Sequence, residues 1–180
     1  VLIHAGGGQD GVALVEAAIG ALELAGKDRD FDCHIIGGPE MNGVLRQKLC
    51  DAAGQIGGVQ WSDFSDNMGE EIARSQLVVA MGGYNSVCEI LSYRKRSIIV
   101  PRSRPVREQR IRAEAMEQHG LLKMIPEERL TPKLLLQEIE RELAMSNVCS
   151  RELARLSFRG LDQICDLLLP SEAHTANIMR

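Results

Sequence analysis

The run Leu77-Val78-Val79-Ala80-Met81 passes directly into Gly82-Gly83, after which Val87, Ile90 and Leu91 recur at helical spacing. A short, branched apolar run reads as a strand buried on both faces. The paired glycines therefore mark a point where such a strand turns straight into a helix. In an open α/β sheet, ligands bind in the crevice beyond the carboxyl ends of the strands. The first turn of a helix also offers N–H groups without intrahelical partners and the positive end of the dipole, both suited to a phosphate. Asn85 and Ser86 lie in that turn, and Glu89 follows one turn later. The same residues also suit an ordinary tight turn capped by Asn85 or Ser86.

Similar transitions recur along the chain. Val1 to Ala5 reads as a first strand, entering Gly6-Gly7-Gly8-Gln9-Asp10-Gly11, and a helix is expected over Val12 to Ala25 with Gly26 as its C-cap. Cys33 to Ile36 reads as a second strand, stopped by Gly37-Gly38-Pro39, and Met41 to Ala53 as a helix. A third strand over Val59 to Trp61 leads through a polar turn to a helix over Met68 to Ser75. Beyond the central helix, Ser97 to Val100 forms a fifth strand ended by Pro101, and Pro105 to His119 a polar helix. Leu121 to Ile125 supplies a sixth strand. Thr131-Pro132 opens a further helix, with Thr131 as N-cap and proline at the first helical position. Val148 to Leu168 reads as a last amphipathic helix, interrupted by Gly160.

Strands alternating with helices predict an α/β chain: a Rossmann-like, doubly wound parallel sheet of about six strands with helices on both faces. Right-handed crossovers give the strand order 3-2-1-4-5-6. Residues 1–169 then form one domain and 170–180 a polar C-terminal tail. In that order the first and fourth strands are neighbours. The Gly6–Gly11 loop should therefore lie beside the Gly82–Glu89 turn, with both helix entrances opening on one crevice.

Charge and composition exclude some functions for such a crevice. With a net charge of −4 and only 3% aromatic residues, the chain has neither a basic field nor a stacking platform for nucleic acid. Its five cysteines are odd in number, widely spaced and without a CxxC pair, which points to reduced structural thiols and a cytoplasmic setting. No apolar run approaches the roughly 20 residues needed to span a bilayer. The chain opens on a strand, without a Met and without a signal-peptide pattern, so it is expected to begin inside a longer protein.

Gly6, Gly8 and Gly11 formally satisfy GxGxxG between a strand and a helix, which raises NAD as a ligand. The acidic residue that holds the ribose at the end of the second strand is missing, since Gly37-Gly38-Pro39 stands there and Glu40 comes only afterwards. From Arg94 to Arg112, eight basic residues (Arg94, Lys95, Arg96, Arg102, Arg104, Arg107, Arg110 and Arg112) face the single acid Glu108. They suit neutralisation of a diphosphate, and equally a solvated face or a patch for an anionic membrane or partner. The four histidines form no catalytic set or metal-ligand spacing, so core or capping roles are expected for them. No catalytic residue and no metal ligand can be assigned.

Four segments in order make a more specific pattern: Gly6-Gly7-Gly8-Gln9-Asp10-Gly11, Trp61 to Met68, Gly82-Gly83-Tyr84-Asn85-Ser86-Val87-Cys88-Glu89, and Pro105 through Glu108-Gln109 to Ala113. Together they resemble the C-terminal, donor-binding half of two-domain GT-B glycosyltransferases. The resemblance is strongest to the group containing the bacterial N-acetylglucosaminyltransferase of the peptidoglycan lipid precursor, with the predicted glycosyltransferases related to it. It implies a donor-binding domain of an inverting, metal-independent glycosyltransferase that uses a UDP-sugar as substrate and needs no cofactor. It further implies that Phe64 and Ser65 bound the nucleobase, that Met68 is among the donor-binding residues, and that Gly7, Gly8, Gln9, Gly82, Gly83, Asn85 and Ser86 hold the diphosphate. Glu89 would take the ribose hydroxyls, and Glu108 and Gln109 the donor sugar.

The family's loop carries a serine at or beside Gly8, and two glutamines where this chain has Glu108-Gln109; both departures bear on which sugar is held. An N-terminal acceptor-binding half supplies the general base in the family, so that half is an expected partner. A lipid-linked acceptor and a place at the inner face of the membrane follow from the same resemblance. The alternatives are a nucleotide-sugar hydrolase or epimerase of this architecture, and a non-catalytic nucleotide-binding subunit.

Overall fold

The computed structural model describes residues 1–145 together with 155–158, 160, 162 and 164. Six strands form one parallel sheet: β1 (Leu2–His4), β2 (Cys33–Ile36), β3 (Val59–Ser62), β4 (Leu77–Met81), β5 (Arg96–Val100) and β6 (Lys123–Met124). Their order is β3-β2-β1-β4-β5-β6, as the alternation predicts. Ile3 of β1 pairs with Ile35 of β2 on one side and with Val79 of β4 on the other. The reversal of strand order thus falls between β1 and β4.

Successive strand residues point to opposite faces, and each face has its own core. Ile3, Ile35, Leu77, Val79, Ile98 and Val100 meet the helices α1 (Val12–Ala25), α2 (Gly43–Gly54) and α6 (Pro132–Ala144). Leu2, Ile36, Val78, Ala80 and Ile99 meet α3 (Met68–Arg74), α4 (Tyr84–Ser92) and α5 (Glu108–Gln118). Burial on both sides explains why the strands read as continuous apolar runs rather than alternating ones. Each fully buried Ile or Leu in these layers contributes roughly 1.5–3 kcal/mol.

Several local signals act as expected. Thr131 Oγ1 accepts from the Leu134 N–H at 3.2 Å, with Pro132 at the first helical position of α6. Gly26, at φ +73°, closes α1 with its N–H on the Leu22 carbonyl.

Other boundaries move. The helix expected from Met41 begins at Gly43, because the Asn42 carboxamide caps the N–H groups of Val44 and Leu45 while Met41 turns into the core. The helix expected from Pro105 begins only at Glu108. In the preceding loop, the Arg102 N–H is held by the Gln109 side chain and the Ser103 N–H by Glu127. β6 shrinks to two residues, since Gly120 and Leu121 bond back to the end of α5 before the chain reaches the sheet. The helix expected over 148–168 lies largely outside the described residues, and the tail 170–180 wholly so. Leu156 packs against the core on the α3–α5 face.

Candidate functional site

The β1–α1 and β4–α4 loops meet, as the strand order requires. Between them is a crevice of about 340 Å³ at the carboxyl ends of β1 and β4. Six of the residues singled out from sequence line it: Gly7 and Gln9 from the first loop, Gly83, Asn85 and Ser86 from the second, and Gln109 from α5. Ala5, Gly6, Asp10, Glu40, Met81 and Arg102 complete the lining.

Both helix entrances are free of side-chain caps. The N-cap of α1 is Gly11 and that of α4 is Gly83, and neither helix receives a side-chain capping bond. The ordinary capped turn, with Asn85 or Ser86 as the cap, is therefore not what forms. The lining includes Asn85 and Ser86 in the first turn of α4 and, in the first loop, ends at Asp10, two residues ahead of α1, so the uncapped starts of two helices, with the positive ends of their dipoles, stand beside one cleft.

The remaining residues of the sequence-based set do not line this crevice. Gly8 is buried behind it at φ +97°, with its N–H on the Ala5 carbonyl. A Cβ there would stand 2.7 Å from the Gly37 carbonyl oxygen. Gly38, at φ +93°, approaches the Gly6–Gly8 backbone as closely from the other side. Gly8 thus shapes the loop while Gly7 and Gln9 face the space. Gly82 is buried, its missing side chain leaving room for Gln109 and Pro101, whose Cβ atoms lie 3.1 Å from where its own would be. The Gly82 carbonyl accepts from Arg112 Nη1 at 3.1 Å.

Glu89 is half-buried on α4, three and four residues beyond Ser86 and Asn85 and so on their side of the helix. Phe64 and Ser65 belong to the β3–α3 loop; Phe64 is 56% exposed, and Ser65 Oγ accepts from the Asn67 N–H at 3.3 Å. Met68 opens α3 and rests against the core. Glu108 is exposed and ion-paired with Arg112, whose guanidinium lies 5.1 Å from the Tyr84 ring centroid. None of these residues lines the crevice.

The basic cluster disperses. Lys95 Nζ binds the Ala73 and Ser75 carbonyls at the end of α3, Arg96 pairs with Glu142, and Arg110 with Glu114 and Glu128. Of the eight, Arg102 alone lines the crevice, ion-paired with Asp10 of the first loop. Sequence reasoning put Arg102 in the cluster and Asp10 in the loop motif without bringing them together. The alternation of β5 into its loop was the available signal for Arg102, since it immediately follows Pro101 at the carboxyl end of the strand.

His4 lies beneath the crevice at the end of β1. It is buried, neither ring nitrogen has a hydrogen-bond partner among the described residues, and burial pushes its pKa down to about 4. It is a neutral core group. Cys33 is likewise buried and its thiol is pushed up to about 12 by desolvation, so it is not a nucleophile. A larger cavity, about 720 Å³, opens at the opposite, amino-terminal end of the sheet and includes His34, Gln60, Glu71 and Arg74. It has no convergent helix N-termini. His34 there is held by Glu71 at 3.1 Å and Ser62 at 2.8 Å. Among the described residues no group of His, Cys, Asp and Glu could hold a metal ion, and no described helix is long and apolar enough to cross a membrane.

The chain is similar to known proteins in sequence and fold. A UDP-N-acetylglucosamine–N-acetylmuramyl-(pentapeptide) pyrophosphoryl-undecaprenol N-acetylglucosamine transferase of Clostridium kluyveri is 30% identical over 110 residues, covering 60% of this chain and 29% of that protein. An uncharacterized glycosyltransferase of Methanopyrus kandleri is 29% identical over 143 residues, 79% of this chain and 38% of its own length. The chain thus spans about a third of the length of the curated relatives it matches. Among solved structures, Acinetobacter baumannii MurG superposes with a TM-score of 0.74 at 18% identity, over 92% of this chain and 48% of MurG. A UDP-GlcNAc 2-epimerase from Neisseria meningitidis, bound to UDP-GlcNAc, gives 0.62 at 14% identity over 94% of this chain and 44% of the epimerase, a likeness of fold. The family model of the glycosyltransferase family 28 C-terminal domain matches residues 1–159, and the chain belongs to that family.

Proposed function

We propose that the chain is the donor-binding half of an inverting, metal-independent glycosyltransferase that draws its sugar from a UDP-sugar. The observation that carries this reading is the convergence of two uncapped helix N-termini on one crevice, lined by Gly7, Gln9, Gly83, Asn85 and Ser86. Backbone N–H groups and dipole ends of this kind recognise phosphate oxygens.

The chemistry suits such a site. Glycosyl transfer passes through an oxocarbenium-like state, as glycoside cleavage does. The nucleoside diphosphate departs with growing negative charge, and preorganised donors aimed at that charge lower the barrier without a metal ion. The donor's base would lie toward Phe64, Ser65 and Met68, its ribose hydroxyls on Glu89, and its sugar near Glu108 and Gln109. Gly8 and Gly82 would act by shape, letting the loop and Gln109 close up to the ligand. The general base for the acceptor belongs to an N-terminal half outside this chain. Curated relatives named for transfer to a pyrophosphoryl-undecaprenol substrate support a lipid-linked acceptor and a cytoplasmic enzyme peripheral to the inner face of the membrane.

Calorimetric titration with UDP, ADP, CMP and NAD tests the reading. UDP and UDP-sugars should bind and the other nucleotides should bind weakly or not at all. Heat from NAD with none from UDP would replace this reading with a dinucleotide-binding one. Release of free sugar from a UDP-sugar without any acceptor would favour a hydrolase, and conversion of the bound sugar an epimerase. Binding of UDP with no turnover, even beside the acceptor half, would favour a non-catalytic nucleotide-binding subunit.

A further inference from the structure

The charges around the crevice do not yet match the ligand proposed for it. Its ionisable lining residues are Asp10, Glu40 and Arg102, so a single cation faces two anions. That cation is engaged. Arg102 Nη1 is ion-paired with Asp10 Oδ2, which joins the β5–α5 loop to the β1–α1 loop across 92 residues of sequence. The opposite edge of the same guanidinium is incomplete: Arg102 Nε is buried and has no hydrogen-bond partner among the described residues. The Arg102 backbone is meanwhile fixed, its N–H held at 3.2 Å by the Gln109 carboxamide, which also lines the crevice.

We propose that Arg102 is a donor-binding residue that grips the diphosphate, and that Asp10 is a stand-in anion which holds the guanidinium in place until the donor displaces it. This rests on the nucleotide-sugar reading above and deepens it. The exchange favours the donor for two reasons. The side chains of the present pair are 37% and 49% exposed, so solvent screens their attraction. A diphosphate offers several charged oxygens to a planar fork that can bind two at once, and a guanidinium released from Asp10 would turn its unpartnered Nε–H toward one of them. Nothing covalent changes; one anion replaces another on the same cation. Anchoring of the backbone through Gln109 lets the side chain change partner without moving the loop.

The test titrates the full chain calorimetrically with UDP and with UMP, comparing it with Arg102→Ala, Arg102→Lys, Asp10→Asn and the Asp10→Asn/Arg102→Ala double variant. Arg102→Ala should weaken UDP by about 10- to 100-fold and UMP by no more than about threefold, the difference reporting the second phosphate. Arg102→Lys should fall between, because it keeps the charge without the fork. Asp10→Asn should strengthen UDP by about 3- to 10-fold, and that gain should vanish in the double variant. Thermal melts of each variant separate loss of binding from loss of fold, and Asp10→Asn gives an answer that a poorly folded Arg102→Ala cannot obscure. UDP binding by Arg102→Ala within twofold of the unaltered chain would overturn the inference while leaving the nucleotide reading intact, as would equal loss of UDP and UMP. Weaker UDP binding by Asp10→Asn would overturn the exchange. Absence of UDP binding by the unaltered chain would remove both readings together.

Discussion

Two glycine-rich turns carry the site, and they use their glycines differently. In the β1–α1 turn, Gly8 adopts positive φ and presses its backbone against that of Gly38, also at positive φ, in the β2–α2 loop, leaving no room for a side chain on either. In the β4–α4 turn, Gly83 has φ −58°, and a Cβ there would meet only Ser86 Oγ at 3.7 Å, an ordinary contact. The first turn is held by packing; the second is open at its lining residue and relies on close approach only at Gly82. Similar spelling in sequence therefore hides a division of labour, with one turn fixing the geometry and the other presenting a surface.

Substitution should separate the two most sharply at their glycines. Gly8→Ala forces a left-handed backbone on alanine and drives its Cβ into the Gly37 carbonyl, so it should destabilise the chain by about 4 kcal/mol in chemical denaturation. Gly83→Ala should stay within about 1 kcal/mol of the unaltered chain, while reducing UDP affinity by crowding the crevice. Comparable destabilisation by both would erase the distinction.

The next effect belongs to the first turn's foundation. His4 has a folded pKa of about 4 against 6.5 when free, lowered by burial. As pH falls through 6.5 the unfolded chain takes up a proton that the folded chain refuses, so stability is lost from pH 6.5 down to about 4 and is unaffected by His4 above that range. The loss amounts to roughly 3 kcal/mol. Denaturant midpoints across this window should show it, and His4→Leu should flatten the slope.

Glu89 tests the open turn. Glu89→Ala should weaken UDP by about 10-fold or more, while its melting temperature moves by less than about 2 °C, because the carboxylate makes no ion pair or hydrogen bond among the described residues. Equal losses in binding and stability would recast Glu89 as structural. Smallest of all, Asn85→Ala should change stability by less than about 0.5 kcal/mol, since Asn85 caps nothing.

The sequence revealed most of this architecture wherever chemistry was local. Runs such as Leu77–Met81, and the Thr131-Pro132 helix start, declare themselves through burial pattern and capping within a few residues. The adjacency of the two turns followed from strand order, which crossover handedness restricts. What stayed hidden depends on distant neighbours. The stacking of Gly8 on Gly38 joins two loops of different strands, and the Asp10–Arg102 pair joins residues from opposite halves of the sheet. Pro105 to Arg107, expected as the start of a helix, instead extend the loop after β5, in which the side chains of Gln109 and Glu127 hold the Arg102 and Ser103 amides. Crevice lining is decided by these tertiary contacts. Glu108 and Gln109, adjacent in sequence, accordingly end one outside the crevice and one within it.

If both turns serve one nucleotide crevice, a single ligand must reach the backbone of both. The most direct measurement is an NMR titration of the ¹⁵N-labelled chain with UDP, following backbone amides. Saturable shifts with a single apparent affinity are expected at Gly7 and Gln9 of the first turn and at Gly83, Asn85 and Ser86 of the second, with His34 and Gln60 at the opposite end of the sheet unmoved. Shifts confined to one turn, or centred on His34 and Gln60, would contradict it.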